Sequence, residues 1–313
     1  MTFFIYKVVK YYTQKMSLSF AAFGALILAF VSPYAKWWFT PDIYLGQFGV
    51  NPFHNPTHMA VKSFGLLASM AGIDIIKNLR GEKLMFFKNT KGLYVWFGVL
   101  LLMTTFTKPT YMYMLLPAGF VYIVGLLIYN MIKAKEKVMN ALKTLLYTSL
   151  ATIPSLILII FEYLAFYRWG NQYPSKVIIG PFLETWHMFS YDVPTSIILA
   201  MFFPIWMMVT NPGYFLKSTE GLLSVICYVV GTFEFAFFEE DGGKKSSANF
   251  AWCMMAGMTI LFTTCVSKLI QNTMAKKEGA LHAIYIIVSW FFLFLHVYSG
   301  ITILEDVIVR HIR

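Results

Sequence analysis

The sequence predicts an all-α fold, a polytopic bundle of about nine transmembrane helices with the N-terminus inside, and three observations carry that expectation. Of 313 residues, 58% are hydrophobic and only 13% are charged, about half the charged share of a water-soluble domain. Apolar stretches approaching the ~20 residues that cross a ~30 Å hydrocarbon core recur from one end of the chain to the other. The hydrophilic stretches between them reach about thirty residues at most, too short to enclose a core of their own. No cytoplasmic nucleotide-binding domain is expected within these stretches, which argues against an ATP-driven pump or a nucleotide-sugar enzyme of soluble type.

Along the chain, residues 1–16 form an interfacial amphipathic helix. Lys7, Lys10 and Gln14 lie on one face and Phe3, Phe4, Val8, Tyr11 and Tyr12 on the other. A single transmembrane domain, 17–313, follows. Its first span, 17–31, runs into Pro33, Tyr34, Trp37 and Trp38, an aromatic belt rather than a small-residue cleavage site. Further spans are expected at 59–76, 93–106, 111–132, 145–164, 194–209, 221–238, 250–270 and 280–303. The runs at 93–106 and 194–209 are the short ones. Orientation comes from positive charge: with the N-terminus inside, sixteen of the 25 Lys and Arg fall on the cytoplasmic side. The net charge of +10 thus reads as a topology signal and as contact with anionic lipid rather than nucleic acid. Cys227, Cys253 and Cys265 lie within apolar runs, without disulfide or metal-ligand spacing.

This topology leaves plain Lys-rich connectors inside and concentrates Asn, His, Pro, Trp, Asp and Glu outside. Three outer turns offer chemistry. In 51–58, Asn-Pro-Phe-His-Asn-Pro-Thr-His, the prolines hold the backbone extended and His54, Asn55, Thr57 and His58 offer donors, acceptors and imidazoles. The same residues also suit a structural turn in which Asn55 or Thr57 caps the next helix. In 107–110, Thr-Lys-Pro-Thr, Lys108 sits on a rigid corner, either snorkelling or holding a lipid phosphate. In 237–252, Glu239, Glu240 and Asp241 leave an aromatic helix face, followed by Gly242 and Gly243 and then by Asn249-Phe250-Ala251-Trp252. Three consecutive carboxylates have capacity for metal binding or proton transfer, or they belong to a solvated acidic and basic loop. Within spans, Lys62, Asp74, Glu162 and Glu234 are costly charges. Asp74 and Glu162 fall near span ends, whereas Glu234 is deep enough to need a partner or a cavity.

The runs His54-Asn55-Pro56-Thr57, Thr107-Lys108-Pro109 with Leu116-Pro117 following, and Glu240-x-Gly242 ahead of Asn249-Phe250-x-Trp252 resemble motifs of bacterial membrane proteins encoded with polysaccharide genes. These are similar to GT-C-type glycosyltransferases. The resemblance covers roughly 41–267. It implies a bacterial cytoplasmic membrane, a lipid-phosphate-linked sugar donor on the outer side, and an inverting transfer assisted by an outer-loop carboxylate, with a divalent metal as cofactor. GT-C enzymes carry their catalytic acid in a long first outer loop. Here that loop holds only Asp42 as an acid, so either Asp42 stands in its place or the chain is a shortened relative.

The function expected is therefore a membrane glycosyltransferase, or a component of one, using a polyprenyl-phosphate-linked sugar for cell-surface glycan. Asp42 and Glu240 are candidate bases, and His54, Asn55, His58, Lys108, Asn249 and Trp252 candidate substrate ligands. Glu239, Glu240 and Asp241 are the candidate metal ligands. A flippase of lipid-linked saccharide and a non-catalytic subunit beside a membrane partner are the alternatives.

Overall fold

The computed structural model describes residues 1–32, 56–165, 169, 176–241, 247–275 and 279–309. Asp42, His54 and Asn55 lie outside the described residues. The chain runs through α1 (Thr2–Thr13), α2 (Leu18–Ala29), α3 (Pro56–Arg80), α4 (Leu93–Thr107) and α5 (Thr110–Lys133). A short 3-10 turn, Lys135–Lys137, leads into α6 (Val138–Tyr163). Strand β1 (Val177–Ile179) and the single turn α7 (Glu184–His187) precede α8 (Val193–Thr210), α9 (Pro212–Lys217) and α10 (Thr219–Phe237). Strand β2 (Phe238–Glu240), α11 (Ala251–Met274) and α12 (Ala280–Val309) complete it.

Each of the nine expected apolar runs is one of these helices. Seven of them, α3, α5, α6, α8, α10, α11 and α12, are long and apolar enough to cross a membrane, while α2 and α4 are shorter apolar helices. The fold is that of a multi-pass, all-α membrane protein. The run expected to be short at 194–209 reaches 18 residues because Asp192 starts the helix early, its carboxylate accepting the Thr195 N–H at 3.0 Å.

Helix α11 is the centre of the bundle: 94% of its most apolar window is buried, against 17% for α6 and α12, which form the periphery. A helix enclosed on all sides needs neighbours that approach closely, and glycine provides this on both partners. A Cβ at Gly231 of α10 would lie 2.5 Å from the Cys253 carbonyl oxygen, and one at Gly257 of α11 would lie 2.7 Å from that of Cys227. The hydroxyls that α11 buries are satisfied within the helix. Thr259, Thr263, Thr264 and Ser267 each donate to the carbonyl four residues earlier, at 2.6–2.9 Å.

Because successive helices alternate in direction, the bundle has two ends, one marked by Arg80 and the other by Lys108. At the Arg80 end, Phe4, Ile5, Val8 and Val9 of α1 are buried against the bundle, with Phe4 packed 5.2 Å from Phe86. The connectors at this end are far from plain. Lys77 pairs with Glu82 at 3.0 Å and Glu220 at 3.6 Å, Arg80 with Glu82 at 2.7 Å, and Tyr12 donates to Glu220. Asp74, expected near an interface, is instead fully buried and accepts the backbone N–H groups of Met85, Phe86 and Phe87 at 2.7–2.9 Å. Three charged-acceptor bonds offset the cost of burying that carboxylate and fold the 81–92 connector back under α3.

Gly257→Leu drives a side chain into the Cys227 backbone, so it is expected to cost at least the 1–3 kcal/mol typical of overpacking and to lower the thermal midpoint in detergent. Gly119→Ala, where a Cβ meets nothing within 4 Å, is expected to leave the midpoint unchanged or raise it slightly. Equal losses at both positions would mean that the α10–α11 approach is not the constraint.

Candidate functional site

The site lies at the Lys108 end and is assembled from four places in the sequence. Thr104 accepts the Lys108 N–H at 2.7 Å, closing α4, and Pro109 begins α5 by accepting the Tyr113 N–H at 3.0 Å. Lys108 is thus the extended residue of a two-helix corner with little freedom. Its ammonium lies 3.9 Å from the centre of the ring of Trp252, the second residue of α11. The same indole receives the His58 imidazole of α3 at 4.9 Å. A cation over a tryptophan face is worth about 0.5–2 kcal/mol, rising with desolvation.

The acidic side is arranged by a feature that the apolar pattern did not show. β2 extends α10 beyond its end and pairs antiparallel with β1, Val177 opposite Glu240 and Ile178 opposite Glu239. Successive strand residues face opposite ways. Glu240 therefore joins Val177 on the wall of a cavity of about 470 Å³, whereas Glu239 turns away and accepts from the Thr185 hydroxyl at 3.2 Å. Asp241 is taken up by the Lys176 N–H. The three consecutive carboxylates are thus dispersed, and among the described residues no group of three His, Cys, Asp or Glu side chains is placed to hold a metal ion.

Glu240 is buried and its carboxylate accepts from Asn249 Nδ2 at 2.6 Å, so Asn249 fixes its direction. Glu240, Asn249 and Lys108 line the same cavity, together with Tyr113, Phe250 and Glu162. Of the expected residues, Lys108, Glu240 and Asn249 converge directly, and His58 and Trp252 join through the contact with Lys108. Glu162, read from the sequence as an interfacial residue, is a second carboxylate of the wall. The signal for it was available, because α6 ends on the same side as the Thr-Lys-Pro-Thr corner. Glu234 lies behind this wall, near the Cys253 thiol. Its Oε2 has no hydrogen-bond partner among the described residues.

What distinguishes Lys108 is the absence of a counter-charge. Among the described residues, no carboxylate lies within ion-pair distance of its ammonium, in contrast to Lys77 and Arg80. Burial pushes its pKa down to about 8, from the usual ~10.4 of a lysine. The arrangement offers a pre-positioned cation and two carboxylates around one cavity of small-ligand size. Comparison of the chain with family models, with curated proteins and with solved structures gives no match. Fold and site together define a multi-pass helical membrane protein with a polar, lysine-bearing cavity at one end of its bundle.

The lowered pKa sets a pH dependence. The folded protein binds fewer protons than the unfolded chain between about pH 8 and the unperturbed ~10.4, so the cost of the buried charge is full below pH 8 and relieved above that window. An anion at Lys108 offsets that cost only while the ammonium is charged. An alkyl phosphate in detergent is therefore expected to raise the thermal midpoint at pH 7 and to lose most of that effect by pH 9.5. Lys108→Arg should keep it. A midpoint shift independent of pH in the natural protein would place the anion elsewhere.

Proposed function

We propose that the chain is a membrane glycosyltransferase, or the membrane component of one, taking a sugar from a polyprenyl-phosphate donor at the Lys108 end. The observation that carries the reading is the half-buried Lys108 ammonium, without a carboxylate partner among the described residues, in a cavity shared with Glu240 and Glu162. A donor carried by the bilayer needs no soluble nucleotide domain, which fits a chain built of apolar helices. In this reading all nine apolar helices cross the bilayer. The N-terminus and the Arg80 end lie in the cytoplasm, as the sixteen of 25 Lys and Arg on that side favour.

The chemistry follows from the placement. Lys108 holds the donor phosphate and neutralises the charge that builds on it as the bond to the anomeric carbon breaks. Glu240, directed by Asn249, accepts the proton of the acceptor hydroxyl as its oxygen bonds to that carbon. The sugar leaves with inverted configuration and the polyprenyl phosphate remains on Lys108. The Trp252 face gives the ammonium a position before substrate arrives, which reduces the ordering cost of binding.

One observation favours passage of a lipid-linked saccharide instead: the Arg80 end is also polar. Its charges Lys77, Arg80, Glu82 and Glu220 are, however, paired with one another. In the middle of the bundle α10 and α11 meet backbone to backbone and leave no path between them.

Lys108→Ala is expected to weaken binding of a polyprenyl-phosphate analogue by about 1.5–3 kcal/mol, roughly 10- to 150-fold, with the thermal midpoint held. Unchanged binding would remove Lys108 from the site. Glu240→Gln is expected to bind the analogue normally while abolishing sugar transfer, and retained transfer would end its role as base. For topology, single cysteines at the exposed Lys83 and Tyr191 are expected to be labelled from opposite sides of sealed vesicles. Labelling of both from one side would refute the alternation.

A further inference from the structure

A second cavity, of about 620 Å³, opens at the Arg80 end among α3, α5, α9 and α10 and takes no part in the function proposed above. Its lining includes three cations, Arg80, Lys137 and Lys217, and no carboxylate. Arg80 is fixed from every side: Nη1 donates to Tyr122 Oη at 2.9 Å, Nη2 to the Lys217 carbonyl at 3.2 Å, and Nε pairs with Glu82 at 2.7 Å. Its charge is therefore already balanced. Lys137 and Lys217 are exposed and, among the described residues, have no ion-pair partner.

Away from these lysines the wall changes character. α5 runs towards the Arg80 end and α10 away from it, so Gly125 and Ile226 lie deeper than the cations and line an apolar throat. A Cβ added at Gly125 would meet nothing within 4 Å, so the space reaches the helix backbone. The cavity thus has a mouth with two uncompensated positive charges and an apolar slot whose wall at Gly125 is bare backbone, opening between helices on the bundle surface.

We propose that this cavity is a binding site for an anionic glycerophospholipid, the phosphate held between Lys137 and Lys217 and one acyl chain lying along Gly125 and Ile226. The charge balance selects the headgroup. A zwitterionic choline lipid would bring a quaternary ammonium to a mouth whose lining offers cations and no carboxylate, whereas a phosphatidylglycerol brings a net negative charge alone. The slot selects a lipid over a free phosphate, because apolar wall gains nothing from a small hydrophilic anion. Binding here would tie α9 and the 3-10 turn to α5 and α10.

The test is a titration of the full-length protein in detergent, read by native mass spectrometry, with phosphatidylglycerol, phosphatidylcholine and glycerol phosphate. The natural protein is expected to bind phosphatidylglycerol at least tenfold more tightly than phosphatidylcholine. The double variant Lys137→Gln, Lys217→Gln should lose that preference. Gly125→Phe, whose Cβ meets nothing within 4 Å and whose ring enters the slot, should lower phosphatidylglycerol affinity tenfold or more at an unchanged thermal midpoint. The same preference, and its loss in the double variant, should persist on a Lys108→Ala background, in which the other end no longer holds a lipid phosphate. Equal binding of the two lipids, or phosphatidylglycerol affinity undiminished in both variants, would overturn the proposal. Glycerol phosphate binding as tightly as phosphatidylglycerol would overturn it too, by showing a free-phosphate site.

Discussion

The close passage of α10 past α11 at Gly231 and Gly257 is the constraint on which the rest of the molecule depends. In a bilayer, lipid tails solvate apolar side chains as well as other helices do, so helices associate where their backbones can come near. Here the two glycines face the opposing carbonyls of Cys253 and Cys227, and every larger residue would push the pair apart. The polar end of the molecule hangs on this seam. Gly231 is six residues before the end of α10 and Gly257 five residues after Trp252, so about 8–9 Å of rigid helix on each side carries β2 and Trp252 into place. Glu240 and the Lys108 platform are therefore positioned by packing in the middle of the bundle rather than by their own loops.

The two ends differ in how their charge is disposed. At the Arg80 end, Lys77, Arg80, Glu82 and Glu220 satisfy one another, and Tyr12 of α1 completes the set. Such a closed set is costly to desolvate but makes one arrangement of α1, α3 and α10 much better than its alternatives. At the Lys108 end the cation is supported by an aromatic face, with no carboxylate in ion-pair distance among the described residues, and Glu240 is directed by an amide. A partly buried cation without a counter-charge is a group that an anionic ligand can complete, and in the reading proposed above this difference leaves the chemistry to the Lys108 end.

Much of the fold was legible because hydropathy reports length and period directly. All nine apolar runs are helices, and the turns carrying Lys108, His58 and Asn249 fall at one end because antiparallel neighbours must alternate. What hydropathy does not report is which side of an apolar residue faces protein and which faces lipid. The central place of α11 was readable only indirectly, in its Gly, Ser, Thr and Cys content. The β-ribbon escaped notice because three residues, Val177–Ile179, carry no usable period. Without the strand, Glu239, Glu240 and Asp241 look like one acidic cluster, and with it they face apart. The Arg80-end network was hidden for a different reason: Tyr12, Lys77 and Glu220 are far apart in sequence and each alone resembles an ordinary connector residue.

Helix α4 has 15 residues, a length of about 22 Å against the ~30 Å hydrocarbon thickness of a typical bilayer. Its neighbours α5 and α6 have 24 and 26 residues, so the flank that leads to Lys108 is shorter than the rest of the wall. Lipids meeting that flank must compress or tilt, and the energy of doing so rises with each ångström of mismatch. With α4 crossing the bilayer as proposed, a thin, fluid membrane fits this side with less distortion than a thick, ordered one.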